Sequence, residues 1–334
     1  MMDSKVKRIG VLTSGGDAPG MNAAVRAVVR AAVGRGVECV GIRRGWNGLI
    51  NSDFIQMDAA SVSHIIDKGG TVLYTARSRE FMHEEGRAQA LTTCKLLGLD
   101  GIVAIGGDGT FRGALALSRQ AAAQGEQLRV VGIPATIDND IGCSHYTIGF
   151  DTACNTAVEC IDKLRDTMQS HERCSVVEVM GHRAGHLALT VGVACGATAV
   201  IVPEHPVVYE ADRREPIRRA RLAGRTHFMI IVAEGVEGGA YSIGKVIEEA
   251  TALDTRVTVL GHIQRGGSPS SRDRITATYM GYEAVRLLAE GKTCRVVALQ
   301  GENYVDYDIT EALQMTKSLD QHTYEVMRAL TGVH

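Results

Sequence analysis

The residues best suited to chemistry are Thr136, Asp138 and Asp140, which follow an apolar segment at 128–133. That segment predicts a buried parallel strand, ended by Pro134. In open α/β sheets the ligand crevice lies just outside the carboxyl ends of the strands. Two carboxylates there could serve as a general base and as a substrate or metal partner. The alternative is an Asx-rich turn, because Asp and Asn commonly follow a strand.

A glycine-rich turn follows the first predicted strand. Residues 6–13 form a short apolar run, and the turn at 14–20, Ser-Gly-Gly-Asp-Ala-Pro-Gly, separates it from a helix predicted at 21–33. Such a turn lets backbone N–H groups approach phosphate oxygens, helped by the helix N-terminus. It is neither a Walker A loop nor a Gly-x-Gly-x-x-Gly motif. A glycine turn needed only for packing is the alternative.

A second glycine turn, Gly-Gly-Asp-Gly-Thr at 106–110, follows a strand predicted at 101–105 and precedes a helix predicted at 111–123. Its glycines admit phosphate, and Asp108 offers the hard oxygen ligand that Mg²⁺ prefers. The motif is typical of nucleotide phosphate binding, and it also occurs in NAD kinase and lipid kinase families, which leaves the substrate open. Three successive strand ends therefore carry acidic or phosphate-compatible residues.

Basic residues follow other predicted strands. A strand at 71–75 would deliver Arg77 into a loop, and one at 256–260 would deliver His262 and Arg265, a candidate phosphate clamp. Solvated surface arginines are the alternative for Arg77. The basic run at 213–225 is either a solvated helix face or an anion site for an effector.

The elements that position these residues alternate along the chain. Further strands are predicted at 37–42, 175–179, 198–202, 228–233 and, as the last strand, 295–299; further helices are predicted at 86–97, 151–169, 272–288 and from residue 310 onward. With 334 residues and 38 glycines, this alternation indicates an α/β protein of one large or two closely packed domains.

Composition limits the possible partners and location. The net charge of -2 gives no reason to expect nucleic-acid or membrane binding. The N-terminal residues show no signal peptide, and the eight scattered cysteines indicate free thiols in a reducing cytoplasm. From the residues alone, we expect a cytoplasmic Mg²⁺-dependent phosphotransferase that acts on a phosphorylated or anionic acceptor.

The chain resembles the ATP-dependent 6-phosphofructokinases of bacterial type, in segments spread over nearly its whole length. These segments are 9–26, 106–110, 136–140, 149–151, 176–181 and 259–269. The resemblance implies two doubly wound, three-layer α/β/α lobes with mostly parallel sheets. The larger, ATP-binding lobe would comprise 1–149 and 264–314, and the smaller, sugar-phosphate-binding lobe would comprise 150–263 and 315–334.

The resemblance also implies residue roles in the phosphorylation of fructose 6-phosphate at its 1-hydroxyl, early in glycolysis. Asp138 would be the catalytic base, with Thr136, Arg77 and Gly16 in the catalytic site, and Asp108 would hold Mg²⁺. The positions implied to contact ATP are Gly16, Arg77, Ser78, Gly107, Asp108, Gly109 and Thr110. Those implied to bind the sugar phosphate are Thr136, Asp138, Asp140, Arg173, Met180, Gly181, His182, Glu234, Arg256, His262 and Arg265.

The implied assembly is a homotetramer in which Arg173 and Arg256 come from a neighbouring subunit. The implied effector site, for ADP or phosphoenolpyruvate, contains Arg26, Arg30, Arg165 and Arg225. Thr198 replaces the usual acidic residue that helps to hold the effector's Mg²⁺, and therefore predicts blunted or absent activation by ADP.

Two further features bear on activity. His182 replaces the usual arginine, which predicts reduced turnover or an altered substrate preference, because histidine is shorter and largely neutral at pH 7. Gly109 and Ala135 stand where pyrophosphate-dependent relatives carry aspartate and lysine, and they therefore favour ATP as the donor. The alternatives are a relative that uses pyrophosphate or another sugar phosphate, and a catalytically weak regulatory paralogue.

Overall fold

A computed structural model describes residues 6–205, 215–222 and 224–330, with backbone alone at 215, 216 and 219. Strands and helices alternate along the described chain. The strands are β1 Arg8–Thr13, β2 Glu38–Ile42, β3 Phe54–Met57, β4 Gly101–Gly106, β5 Arg129–Pro134, β6 Cys174–Val179, β7 Ala199–Ile201, β8 Phe228–Ala233, β9 Thr255–Val259, β10 Arg295–Gln300 and β11 Asn303–Asp308.

The helices cover the rest of the regular structure. They are α1 Met21–Val33, α2 Trp46–Ile50, α3 Glu84–Leu97, α4 Asp108–Ala123, α5 Phe150–Ser170, α6 His186–Ala194, α7 Glu215–Leu222, α8 Gly239–Thr251, α9 Ser271–Ala289, α10 Ile309–Ala312 and α11 Gln321–Leu330. Two 3-10 segments, Glu80–Met82 and Gly261–Arg265, complete the described elements. In these ranges no helix is long and apolar enough to cross a membrane.

The chain divides into two compact units. The first contains residues 1–136, 141–151 and 265–317, and the second contains 137–140, 152–264 and 318–334. The predicted lobe boundaries at 150, 264 and 315 lie within three residues of these changes. The predicted lobes and the observed units differ most at the segment 137–140. It was predicted to belong to the larger lobe, and the structure groups it with the second unit.

The first unit is built on a seven-stranded sheet with the order β11-β10-β5-β4-β1-β2-β3. Its five central strands are parallel, while β3 and β11 add antiparallel edges. Alternate residues of each strand face opposite sides of a sheet, and both sets are buried here: Leu12 and Ile102 belong to one core, and Val11 is equally buried on the other side. Burial on both faces explains the continuous apolar runs in the sequence.

Strand order reverses beside β1: the chain builds outward through β2 and β3, then returns to place β4 and β5 on the other side. Ligands of open α/β sheets bind at such a switch point, outside the carboxyl ends of the strands. The exits of β1 and β4 are the two glycine turns.

The second unit has a four-stranded sheet, all parallel, with the order β7-β8-β6-β9. The N–H of Ala240, in the first turn of α8, donates to Glu178 Oε2 on β6 at 2.9 Å. Mostly parallel sheets in both units confirm the predicted α/β fold class.

The strand predicted at 71–75 is wrong, because this segment is a loop. Tyr74 has a left-handed φ of 56°, and the Val72 N–H donates to Asn22 Oδ1 at 2.7 Å instead of to a neighbouring strand. The sequence also missed the edge strands β3 and β11, so 295–299 is not the last strand. The helix predicted from residue 310 is two helices, α10 and α11.

Candidate functional site

The two glycine turns of the first unit contact each other. The Thr110 hydroxyl donates to the backbone carbonyl of Ser14 at 3.0 Å. A Cβ on Gly106 would collide with that same carbonyl oxygen and with the Thr110 side chain. Glycine at 106 is therefore required by the close approach of the turns, and the predicted pair of turns forms one surface.

The N-terminus of α4 lies open above this surface. Gly107 caps the helix in an extended conformation, with no side-chain capping bond, and Asp108 and Gly109 are exposed. A Cβ at Gly107 or Gly109 would meet no atom within 4 Å. The positive end of a 16-residue helix, next to two glycines whose missing Cβ atoms leave space, makes this an anion-binding position with room for a ligand.

The donor set around Asp108 fits a magnesium ion brought in with a nucleotide. Among the residues that the structure describes, no group of three or more His, Cys, Asp or Glu side chains could hold a metal by itself. Mg²⁺ is commonly held by one or two carboxylates together with substrate phosphates. An exposed Asp108 beside a phosphate-compatible helix end suits that arrangement.

The loop that carries Arg77 and Ser78 is attached to the first glycine turn. The Thr75 hydroxyl donates to the carbonyl of Gly15 at 2.7 Å, and the Thr13 hydroxyl donates to the carbonyl of Tyr74 at 2.8 Å. Arg77 is exposed just beyond these bonds. Ser78 Oγ accepts from the N–H of Phe81 at 3.2 Å, so Ser78 is also bonded to the following 3-10 segment.

Arg265 lies on the first glycine turn. Its Nη1 donates to the carbonyl of Asp17 at 3.1 Å, and a Cβ on Gly16 would lie 2.6 Å from that same Nη1. The structure therefore brings Arg265, predicted to bind the sugar phosphate, together with Gly16, predicted to contact ATP. His262, its predicted clamp partner, belongs to the second unit.

The chain passes from the first unit to the second directly after Thr136. Before that point, the Ala135 N–H donates to the carbonyl of Gly106 at 3.0 Å, and the Thr136 carbonyl accepts from the Thr147 hydroxyl at 2.6 Å. Asp138 and Asp140 follow in the second unit, both partly buried. Between them Asn139 has a left-handed φ of 50°, which asparagine tolerates better than most residues.

In the second unit the exit of β6 carries Met180, Gly181 and His182. Glu234 Oε1, at the exit of β8, accepts from the N–H of Gly181 at 3.1 Å and from that of His182 at 2.6 Å. The His182 side chain is exposed, on a residue with a left-handed φ of 57°. The structure thus brings four predicted sugar-phosphate residues together at the carboxyl ends of the strands of this sheet.

Arg173 and Arg256 lie at the amino ends of the strands of that sheet, opposite to the strand exits. Arg173 directly precedes β6, Arg256 is near the start of β9, and both pair with the carboxylate of Asp254, at 2.5 and 3.1 Å. The six residues of β6 extend about 17 Å at about 3.3 Å per residue. Within one chain these arginines are therefore separated from Met180 and Gly181 by the length of the strand.

The predicted effector residues are distributed over both units. Arg26 and Arg30 lie one turn apart on α1, and burial together with the charge of Arg30 lowers the pKa of Arg26. In the second unit, Arg165 donates to the carbonyl of Cys195, and Arg225 is exposed. Thr198 is buried, and its Oγ1 accepts from the N–H of Met229 at 3.2 Å.

The basic run at 213–225 is only partly described. Arg213 and Arg214 lie outside the described residues, and the side chain of Arg219 is not described. Arg221 Nη1 donates to the carbonyl of Thr251 at the end of α8, at 3.2 Å. This contact gives Arg221 a partner within its own unit and does not distinguish a solvated helix face from an anion site.

Sequence reasoning missed a buried carboxylate that supports the first unit. Asp273, fully buried, accepts from the Tyr146 hydroxyl at 2.5 Å and from the N–H of Gly149 at 2.7 Å. Burial, followed by the charge of Asp273, raises the pKa of Tyr146. The available signal was local: Ser270 caps α9 by accepting from the Asp273 N–H, which places an acidic residue three positions after the cap.

Comparison with known sequences gives a family. The pattern of the family described as Phosphofructokinase matches residues 8–288. The ATP-dependent 6-phosphofructokinase of Clostridium botulinum (strain Hall) is 51% identical over 327 residues, which cover 98% of this chain and 100% of that protein. The ATP-dependent 6-phosphofructokinase 1 of Clostridium perfringens (strain 13) is 51% identical over 326 residues, covering 97% and 99%.

Solved structures agree. A phosphofructokinase from Saccharomyces cerevisiae is 34% identical with a TM-score of 0.85 over 98% of this chain, which spans 47% of the yeast chain. A pyrophosphate-dependent phosphofructokinase from Marinobacter aquaeolei, 20% identical with a TM-score of 0.84 over 98% of this chain and 91% of its own, shows a shared fold alone. With the family pattern across both units and relatives matched over their full length, the chain belongs to the phosphofructokinase family.

Proposed function

We propose that this chain transfers the γ-phosphoryl group of ATP to the 1-hydroxyl of D-fructose 6-phosphate, giving fructose 1,6-bisphosphate and ADP early in cytoplasmic glycolysis. The observation that carries the proposal is the surface formed by the two contacting glycine turns, with the open α4 N-terminus and Asp108 at the sheet's switch point. Its relatives at 51% identity are named ATP-dependent 6-phosphofructokinases.

ATP is held by the first unit. Gly16, Arg77 and Ser78 lie on the first turn and the loop attached to it, and Gly107–Thr110 bind the phosphates at the positive N-terminal end of α4. Space above Gly109 admits the α-phosphate, which a carboxylate there would crowd and repel. Ala135 is buried and adds no charge, so it offers no ammonium to a pyrophosphate donor. These residues favour ATP over pyrophosphate.

Mg²⁺, held by Asp108 with the phosphates, supplies charge neutralisation at the transferring group. Arg77 is exposed on its loop and neutralises further negative charge of the phosphoryl oxygens. Phosphoryl transfer needs mainly positioning and such charge stabilisation from the protein.

Asp138 is the general base. One carboxylate oxygen accepts the proton of the sugar 1-hydroxyl as the hydroxyl oxygen bonds to the γ-phosphorus and the bond to the β-phosphate oxygen breaks. Thr136 and Asp140 flank it on the same segment and orient the acceptor. Partial burial of Asp138 limits competing water around its carboxylate.

Fructose 6-phosphate is bound by residues from two subunits. Met180, Gly181, His182, Glu234, His262 and Arg265 come from one chain. Arg173 and Arg256 face the site of a neighbouring chain, because the length of β6 separates them from Met180 and Gly181 of their own. A homotetramer with shared sites meets this requirement, since closed symmetry pairs each chain with a neighbour.

An anionic effector, ADP or phosphoenolpyruvate, is bound by Arg26, Arg30, Arg165 and Arg225. Arg26 and Arg30 are like charges one helical turn apart, and a bound anion relieves their repulsion. Thr198 is buried with its hydroxyl engaged by Met229, so it offers no ligand to an effector's Mg²⁺. Activation by ADP is therefore blunted or absent. A clear left shift of the fructose 6-phosphate saturation curve on adding ADP would contradict this.

The test is a steady-state assay with fructose 6-phosphate and Mg²⁺ that compares ATP with pyrophosphate. ATP should support turnover, and Asp138→Asn should lower kcat by about 10²–10⁴-fold. Asp58→Asn, which neutralises an exposed carboxylate in a turn, is the matched control and should retain wild-type rates. Turnover with pyrophosphate alone would refute ATP as the donor, and binding of the sugar phosphate without turnover would favour a regulatory paralogue.

A further inference from the structure

The exits of all four strands of the second sheet meet on one loop, residues 180–185, which we call the β6–α6 loop. Met180, its first residue, donates its N–H to Gln264 Oε1 at 2.9 Å, and Gln264 lies in the 3-10 segment after β9. Gly185, its last residue, donates its N–H to Glu204 Oε1 at 2.7 Å, and Glu204 follows β7. Glu234, after β8, holds the middle of the loop.

The backbone of the β6–α6 loop requires such support. Gly181 has a φ of 145° and His182 a φ of 57°, and a Cβ on Gly181 would lie 2.6 Å from the carbonyl oxygen of Ala184. Sparsely populated backbone conformations persist only where the surroundings over-determine them. At the far end, a Cβ on Gly185 would lie 2.5 Å from Val202, so the loop is packed closely there as well.

Gln264 and Glu204 hold the two ends in different environments. Gln264 is fully buried and Met180 is 7% exposed, so removing the Gln264 oxygen would leave a buried N–H without its acceptor. Glu204 is exposed, and its carboxylate makes a charge-assisted bond to the loop. Neither residue was singled out by the sequence.

We propose that Gln264 and Glu204 are positioning residues, which fix the two ends of the β6–α6 loop so that Met180, Gly181 and His182 present the geometry that binds the sugar phosphate. This inference rests on the proposed function of that loop. The two side chains act through the backbone of Met180 and Gly185, whereas Glu234 holds the middle of the loop and is itself a sugar-phosphate residue.

The experiment compares variants that remove an acceptor with variants that keep it. Glu204→Met and Gln264→Met remove the acceptor oxygen at similar side-chain length, and Glu204→Gln keeps one. Glu178→Met is the matched control, because Glu178 accepts a backbone N–H from Ala240 at 2.9 Å on the same sheet but outside the loop. Glu204 is exposed, so its variants are expected to fold even if Gln264→Met does not.

Glu204→Met and Gln264→Met should each raise KM for fructose 6-phosphate about tenfold, the scale of one lost hydrogen bond to a loop, with KM for ATP unchanged. Glu204→Gln and Glu178→Met should stay within about twofold of the wild type. Amide exchange at Gly185 should accelerate in Glu204→Met and stay slow in Glu204→Gln.

Three results would overturn the inference. They are an unchanged KM for the sugar phosphate in Glu204→Met, an equal rise in both KM values, and loss of slow exchange at Gly185 in Glu204→Gln as well as in Glu204→Met. Failure of the proposed function is a separate outcome, since it would show as absent turnover in the wild type, while the exchange rates would still report whether Glu204 holds the loop.

Discussion

The guanidinium of Arg265 donates to the backbone carbonyl of Asp17 at 3.1 Å, although 248 residues separate the two in sequence. This contact connects the start of the 265–317 segment of the first unit to the first glycine turn of the same unit. It also limits the space above Gly16, because Arg265 Nη1 lies 2.6 Å from the position that a Cβ of residue 16 would take. A residue predicted to bind the sugar phosphate therefore shapes the turn predicted to bind the nucleotide.

Gly16→Ala should lower turnover with little loss of stability. The new Cβ would lie 2.6 Å from Arg265 Nη1, and the flexible end of that arginine would move away. Because Gly16 is exposed and its φ lies outside the left-handed region, the backbone should tolerate alanine. We expect kcat/KM to fall about tenfold or more, about 1.4 kcal/mol, with a melting temperature close to that of the wild type.

The matched measurement is Arg265→Met, alone and combined with Gly16→Ala. If alanine acts by displacing Arg265, the double variant should be no worse than Arg265→Met. Additive losses would mean that Gly16 acts on the nucleotide directly and not through the arginine.

The glycine turns were predictable because their signal is local: an apolar, β-branched run followed directly by glycines. The 71–75 loop was not, because its polar groups are satisfied by residues far away in sequence. Thr13 Oγ1 donates to the carbonyl of Tyr74, and Asn22 Oδ1 accepts from Val72. Its β-branched composition resembles that of a strand, and only these long-range partners distinguish the two.

The side chains that support the candidate site could not be predicted from the sequence, because their partners are also far away in the chain. Gln264 and Met180 are 84 residues apart, and nothing in their spacing indicates the hydrogen bond between them. The residues themselves indicated Asp108 as a Mg²⁺ ligand and an aspartate base after β5, whereas the choice of Asp138 and most of the sugar-phosphate residues came from family resemblance. All of these roles remain predictions. What the structure adds is their placement: two glycine turns in contact, and a loop held by every strand of the second sheet.

Complementation should reveal sites shared between subunits. Asp138→Asn and Arg173→Leu should each be nearly inactive alone, and their mixed oligomers should regain activity. Random assembly would leave about a quarter of the sites with both wild-type residues. The measurement is the rate of co-expressed or co-refolded mixtures relative to the separate variants.

The control mixture combines Asp138→Asn with Asp108→Asn, because both residues are proposed to serve the site of their own chain. That mixture should gain nothing. If Asp138→Asn and Arg173→Leu also gain nothing, Arg173 does not serve a neighbouring site, and its ion pair with Asp254 at 2.5 Å is its whole role.

His182→Arg should raise kcat/KM for fructose 6-phosphate, by about tenfold if the longer cation reaches the reacting phosphate. The exposed position leaves room for the longer side chain, and the N–H bond to Glu234 Oε1 is retained by any residue except proline. Arg183→Ala tests whether the adjacent exposed arginine already fills the role, in which case it would lower kcat/KM. An unchanged kcat/KM in His182→Arg would remove the proposed importance of position 182.

Buried thiols should make the protein less stable as the pH rises above about 8.5, the ordinary pKa of cysteine. Burial, followed by the charge of Asp108, raises the pKa of Cys143 to about 11, and burial raises those of Cys39, Cys94 and Cys174 to about 12. Between these values the unfolded chain loses thiol protons that the folded chain keeps, so the free energy of unfolding decreases with pH.

By pH 10 each such thiol should lower the free energy of unfolding by about 2 kcal/mol, measured by denaturant titration from pH 7 to 10. Cys143→Ala should reduce this decrease in the free energy of unfolding by the contribution of one thiol, because alanine has no proton to lose. Cys160→Ala, at a half-buried position, is the control and should leave the decrease largely unchanged. An identical pH dependence in Cys143→Ala and the wild type would mean that Cys143 does not remain a protonated thiol in the folded protein across this range.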